Sequence, residues 1–222
     1  MDLVTLLQVI VGNMLIYSTP LILTGLGGVF SERSGIVNIG LEGTMVIGAF
    51  ASAVFNLAFA PQLGAWTPWV ALLIAALAGA CYSVIHAVAT VYLRADHIIS
   101  GTVLNLLAPA LTVFLCRLLY NELGQTEIIT NYFGKTTIPV LSSIPIIGQI
   151  FFTDTFLLAY LAIGLAFICS MILNKTKFGL RLRSVGEHPQ AADTLGINVY
   201  RMRFSGVLIS GFLAGIGGAI VA

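Results

Sequence analysis

The sequence predicts an all-α fold, a polytopic membrane helical bundle with cytoplasmic loops. Three observations carry that reading. Hydrophobic residues make up 58% of the 222 residues and charged residues only 9%, where soluble domains carry about 25% charged residues. The mean hydropathy is +1.01. The apolar residues gather into about six runs separated by polar turns, most of them long enough to cross about 30 Å of hydrocarbon as a helix. The formal charge is +1, and the basic residues are concentrated in one loop. The composition argues for a lipid bilayer as the surrounding medium; the net charge by itself says nothing about nucleic acid, and no nucleic-acid partner is expected.

The first run covers 6–29. The Met1-Asp2-Leu3 terminus has no positive n-region, and the run behind it is too long for a signal-peptide core. Pro20 should kink this helix, and Gly25, Gly27 and Gly28 allow close packing. Ser31 to Gly35 read as a polar turn. The second run covers 36–60. Asn38 and Glu42 are four apart, so a helix beginning at Ile36 would place them on one face. A carboxylate here is costly unless it meets a cavity or a partner. Two readings stand: the face lines a solute path or fixes a broken helix, or Glu42 sits at the interface, paired with Arg33 or capped by backbone N–H groups.

A link at 61–68 follows, with Trp66 and Trp69 suited to the interfacial aromatic belt. The third run, 69–93, holds His86, which reads as a packed polar residue; no second ligand lies at metal-binding spacing. The fourth, 98–119, holds Asn105, placed either toward a pathway or in an interhelical hydrogen bond. Arg117 near its end can snorkel. The stretch 121–154 is broken by Gly124, Gly134, Pro139, Pro145 and Gly148. Its apolar part, 138–152, suits an interfacial or re-entrant piece. The fifth and sixth runs cover 155–173 and 204–222. Cys81, Cys116 and Cys169 lie far apart within apolar runs and read as small buried residues.

Between the last two runs lies a polar island, 175–203. Six of the ten Lys and Arg residues fall there: Lys175, Lys177, Arg181, Arg183, Arg201 and Arg203. Such loops stay on the cytoplasmic side. Counting back through five spans then puts the N-terminus outside, Arg33 and Arg94 in cytoplasmic turns, and 121–154 outside. A crossing by 138–152, or a second run that doubled back, would move the N-terminus inside. Within the island Pro189 suits a first helical position and Gly196 a left-handed C-terminal stop. Ala191, Ala192 and Leu195 would then share a face, forming a small, smooth, exposed knob. A loop of this length carrying its own helix suggests docking rather than mere connection.

The residues Gln190-Ala191-Ala192-x-x-x-Gly196 resemble the Glu-Ala-Ala-x-x-x-Gly loop of ABC transporter permeases. Gln190 stands where the general motif has Glu, and no Leu-Pro follows Gly196. The block from Phe30 to Gly43 is similar to the N-terminal signature of simple-sugar and nucleoside permeases. The likeness continues through Leu93 to Gly101 and Leu104 to Leu107. The resemblance implies a permease domain over 1–222 that stops short of the family's further spans. It implies that Glu187, Pro189, Gln190, Ala191, Ala192, Asp193, Leu195 and Gly196 form a coupling helix against a cytoplasmic ATPase. A second, related permease subunit and an extracellular solute-binding protein are the other implied partners. Asn38, Glu42 and Asn105 are the candidate path residues.

No G-x-x-x-x-G-K-[ST] sequence occurs. The chain is therefore expected to bind no cofactor of its own, with ATP and Mg on the partner ATPase. No catalytic or metal-ligating constellation is legible. The expected solute is an uncharged nucleoside or simple sugar, with a branched-chain amino acid as the alternative. An ion-coupled secondary transporter, which wants buried midplane acids, and a membrane scaffold are the rival classes.

Overall fold

The computed structural model describes residues 3–120, 125–129, 131–139, 142, 144 and 147–222. Gly124 and Pro145, named above as breakers, lie outside the described residues. Helices dominate: α1 (Leu3–Arg33), α2 (Leu41–Leu63), α3 (Thr67–Ala87), α4 (His97–Tyr120), α5 (Ile147–Phe151), α6 (Leu157–Lys175), α7 (Lys177–Glu187), α8 (Pro189–Thr194) and α9 (Val199–Val221). A 3₁₀ turn, Gly64–Trp66, joins α2 to α3, and one π turn, Val88–Tyr92, ends α3.

Five helical stretches are long and apolar enough to cross a membrane. The longest, Leu41–Tyr92, has 52 residues and would run about 78 Å if straight, far beyond one bilayer. It folds back at Gly64, whose φ is +51°. As a result Val46 and Ile47, early in α2, pack against Tyr82, late in α3. The six apolar runs thus become six spanning helices, α1 to α4, α6 and α9.

Helix α9 is the axis of the bundle and packs on α1, α2 and α3. Its Gly215 and Gly218 make this possible. A Cβ at Gly215 would strike the carbonyl of Ala75 in α3, and one at Gly218 the carbonyl of Met45 in α2. Backbones this close gain dispersion and leave no room for lipid. Levels along α9 fix the direction of its neighbours. Gly206 lies against Phe30 and Ser34, and Gly217 against Pro20 and Thr24, so α1 runs antiparallel to α9. Ser52 and Asn56 reach the level of Ala219 to Ala222, so α2 runs parallel to it.

One end of the bundle therefore gathers Arg33, Arg94 and the whole 175–203 island, the cytoplasmic end by the positive-inside rule. The other end gathers Asp154 beside Gly12 and Asn131 beside Asn56. Helix α5 has five residues, about 7.5 Å of rise, and crosses nothing. Thr136 and Thr155 pair as an isolated antiparallel bridge at the outer end.

Four local expectations need correction. First, α1 continues to Arg33, so the polar turn shrinks to Ser34 and Gly35, where φ is +86° at Gly35. Second, 36–40 is not helical, and α2 begins only at Leu41. Third, the basic island holds two helices, not one. Phe178, Leu182 and Val185 recur at helical spacing in α7, and Leu182 and Val185 are fully buried. Thr176 caps that helix by accepting from the Gly179 N–H at 3.2 Å. Leu182 joins Phe30 of α1, Cys169 and Leu173 of α6, and Leu213 of α9 in one cluster. Fourth, Cys81 is exposed, whereas Cys116 and Cys169 are buried; Cys81 lies on the outward face of α3.

Candidate functional site

The unwound stretch Ile36 to Gly40 is the structural centre of the site. Non-helical backbone at membrane depth persists only where protein or a water-filled cavity satisfies its polar groups. Here five side chains do so. Ser31 Oγ donates to the Ile36 carbonyl at 2.7 Å. His86, fully buried on α3, contacts the Val37 carbonyl through Nε2 at 3.2 Å and Ser100 Oγ through Nδ1 at 2.9 Å. The Val37 N–H donates to His97 Nδ1 at 3.4 Å. Asn105 on α4 donates to the Ile39 carbonyl at 2.9 Å and accepts from the Gly43 N–H at 2.8 Å. Asn38 donates to Ser210 Oγ on α9 at 3.0 Å and accepts from the Gly40 N–H at 3.0 Å.

These bonds decide between the readings left open by the sequence. Asn38 is 7% exposed and does not share a helix face with Glu42, because it precedes the helix. Both ends of its carboxamide are committed to holding the unwound stretch against α9. Asn105 is half-buried and clamps the start of α2. Neither carboxamide is free to greet a solute. Glu42 differs. It stands in the first turn of α2, where the helix dipole favours an anion, and it is exposed on the side of the bundle. Among the described residues it makes no ion pair, with Arg33 or any other.

The cytoplasmic element is built from α7 and α8. Pro189 opens α8 at its first position. Gly196 closes it at φ +77°, with the Gly196 N–H donating to the Asp193 carbonyl at 2.9 Å and the Ile197 N–H to the Ala192 carbonyl at 3.1 Å. That left-handed stop is where glycine is favoured. Gln190, Ala191 and Asp193 are exposed, Glu187 is exposed at the end of α7, and Leu195 is 80% exposed. Ala192 is not part of the exposed knob. It is 2% exposed and turns inward, because α8 packs on both α7 and α9. A cavity of about 450 Å³ lies beside α8, lined by Arg94, His97, Gln190, Asp193, Tyr200 and Arg203.

The two parts touch. Gly186, at the last turn of α7, lies against Arg33 and Gly35, so closely that a Cβ on Gly186 would strike the Arg33 carbonyl. The chain α8–α7–Gly186–Gly35 leads directly into Ile36 to Gly40. Sequence reasoning marked α8 but missed this link; the apolar spacing of α7 was the available signal. No group of three or more His, Cys, Asp or Glu that could hold a metal occurs among the described residues.

Residues 10–222 match the family model described as branched-chain amino acid transport system / permease component. The chain belongs to this permease family. It is therefore a multi-pass membrane transporter component, not an enzyme. It is 63% identical to the nucleoside ABC transporter permease protein NupC of Lactococcus lactis subsp. cremoris, over all of this chain and 69% of that protein. It is 57% identical to the guanosine ABC transporter permease protein NupQ of Bacillus subtilis, with the same coverage. The same two species have second permeases at greater distance. NupP of Bacillus subtilis is 29% identical over 95% of this chain and 59% of its own. NupB of Lactococcus lactis is 26% identical over 95% and 58%. No solved structure matches this permease.

Proposed function

We propose that this permease is one of two membrane subunits of an ATP-driven importer for nucleosides in a bacterial plasma membrane. The observation that carries the reading is the continuous contact from α8 through Gly186 to the unwound stretch Ile36 to Gly40. A cytoplasmic ATPase docks on the exposed face of α8, with Ala191, Gln190, Asp193 and Leu195 as its contacts. Closure of its nucleotide sites moves α8, and α7 carries the displacement to the turn at Gly35. The unwound stretch responds because hydrogen bonds from five side chains, not a helical ladder, hold it. ATP and Mg reside on the ATPase.

Glu42, unpaired on the side of the bundle, supports a polar path along the α2 and α4 face. A carboxylate exposed to hydrocarbon is costly, so a second permease subunit covers this face. The second subunit is a distinct chain resembling NupP and NupB. This chain is far closer to NupQ and NupC, and each of those species carries one permease of each kind. An extracellular binding protein delivers the solute to the end formed by Asn56, Asn131 and Asp154. The similarity to the nucleoside permease NupC and the guanosine permease NupQ supports the nucleoside assignment. Co-reconstitution of both permeases with the ATPase and binding protein tests it. Guanosine and uridine should accumulate in an ATP-dependent way, and leucine should not. Leucine uptake without nucleoside uptake would transfer the reading to the family's branched-chain amino acid members.

A further inference from the structure

The cavity of about 450 Å³ beside α8 is walled by the turn before α4, by α8 and by the first turns of α9, at the cytoplasmic end and opposite the end where Ala222 lies. Arg94 and Arg203 both line it; Arg94 is exposed and Arg203 half-buried. Asp193 lines it too, yet among the described residues neither guanidinium makes an ion pair with it or with any other acid. Two cations against one carboxylate make the cavity attract anions. Arg94 sits at φ +56°, in the left-handed region that few residues other than glycine adopt, just after the π turn Val88–Tyr92. Backbone strain and π turns both cluster at functional sites. His97 adds a neutral donor: its Nδ1 accepts from the Val37 N–H at 3.4 Å, which assigns the ring proton to Nε2.

A soluble phosphate and the phosphodiester of a lipid offer the same oxygens to these donors. The adjoining surface separates them. A second cavity, of about 350 Å³, shares Ala95 and His97 with the first, and Val37, Ile39, Asp96 and Ile98 complete its lining. The Asp96 carboxylate is committed to the Ile98 and Ile99 N–H groups, both at 2.9 Å. Val37, Ile39 and Ile98 are exposed, so hydrocarbon lies beside the basic cavity. Tyr200 on the cavity wall stacks on Tyr92, with ring centroids 5.9 Å apart, and tyrosines gather at the headgroup level. We propose that the two cavities together bind one anionic phospholipid, its phosphate on Arg94 and Arg203 and an acyl chain along Val37, Ile39 and Ile98. Basic pockets between cytoplasmic helix ends hold acidic headgroups in this way. The lipid meets α8 at Gln190 and the unwound stretch at Val37 and Ile39, so it joins the docking helix to the irregular backbone. The site goes beyond the importer reading and does not depend on which solute is carried.

The test is thermal melting of the full-length permease, purified in detergent with its partner subunit. It is titrated with dioctanoyl phosphatidylglycerol, dioctanoyl phosphatidylcholine or glycerol 3-phosphate. A ligand held by the folded state raises the melting temperature. Phosphatidylglycerol, which is anionic, should act at about ten-fold lower concentration than zwitterionic phosphatidylcholine. Glycerol 3-phosphate, which has no chains, should not act in that range. Arg94→Gln, at an exposed position that leaves the fold intact, should weaken phosphatidylglycerol about ten-fold, the worth of one charge-assisted hydrogen bond. Ile98→Ser, also exposed, should weaken both lipids about three-fold. Arg201→Gln, on the same helix as Arg203 but outside the cavity, should bind as the native protein does. Native phosphatidylglycerol affinity in Arg94→Gln overturns the site. An equal loss in Arg201→Gln overturns it too, since that is diffuse attraction to a basic surface. Equal action by phosphatidylcholine removes the role of the arginines, and equal action by glycerol 3-phosphate makes the cavity a seat for soluble phosphate; either overturns the lipid assignment. None of these readouts involves transport, so they leave the nucleoside reading to its own test.

Discussion

Single side chains carry the irregular backbone of this permease, and Asn105 shows how. It bonds both the Ile39 carbonyl and the Gly43 N–H, bridging the break before α2. Asn105→Leu should keep the volume but leave the buried Gly43 N–H unpaired, at a cost of about 1–3 kcal/mol. Thermal denaturation in detergent should show a lowered melting temperature, and an unchanged one would mean that water replaces the carboxamide. Asn105→Asp should be milder, because the acceptor for Gly43 remains. The same logic separates neighbours on α8. Ala192→Leu crowds a buried position and should destabilise the permease by about 1–3 kcal/mol. Ala191→Leu, on the exposed face, should leave stability within about 0.5 kcal/mol. Equal losses for the two would contradict the inward orientation of Ala192. From the sequence Ala191, Ala192 and Leu195 read as one face. The burial of Ala192 depends on packing against α7 and α9, which the eight residues around it do not encode.

At the scale of elements, α7 is the part that ties the cytoplasmic loop to the membrane body. Leu182→Ala should cost about 2–5 kcal/mol, the usual range for emptying a buried leucine site. Because Leu182 meets α1, α6 and α9, the loss should appear in the melting of the whole bundle. A loss confined to local proteolysis of the loop would contradict that anchoring. The elements differ in how far the sequence announces them. The spans were legible because about 20 apolar residues are needed to cross a bilayer and few other structures use such runs. Helix α8 was legible from Pro189 and Gly196, which mark its ends. The unwinding at Ile36 to Gly40 was not. Ile36, Val37 and Ile39 continue an apolar run, and the groups that replace the helical ladder come from Ser31, Asn38 (itself held by Ser210), His86, His97 and Asn105. Those partners converge only in the folded bundle. Helix α7 was obscured by its three Lys and Arg residues, Lys177, Arg181 and Arg183, although Phe178, Leu182 and Val185 kept helical spacing.

For the whole molecule, six spans place α8 and the loop holding Gly134 at opposite ends. Single cysteines at Leu195 and Gly134, in a background lacking Cys81, Cys116 and Cys169, should react with membrane-impermeant maleimide from opposite sides of oriented vesicles. Labelling of both from one side would require a different number of crossings. Between the ends, the contact of Gly186 with Arg33 and Gly35 makes the loop and the unwound stretch one mechanical unit. Gly186→Ala should force that contact apart, since even a Cβ strikes the Arg33 carbonyl, and should reduce transport per ATP hydrolysed more than it reduces ATPase binding. The docking of the ATPase on α8 is the claim on which this coupling depends. Its most direct test is capture of the ATPase by the native two-permease complex, by Leu195→Asp and by Gly196→Pro, each verified as membrane-inserted. The account predicts capture by the native complex and at least ten-fold weaker capture by both variants. Capture by both variants at native strength would contradict it and remove α8 from the coupling path.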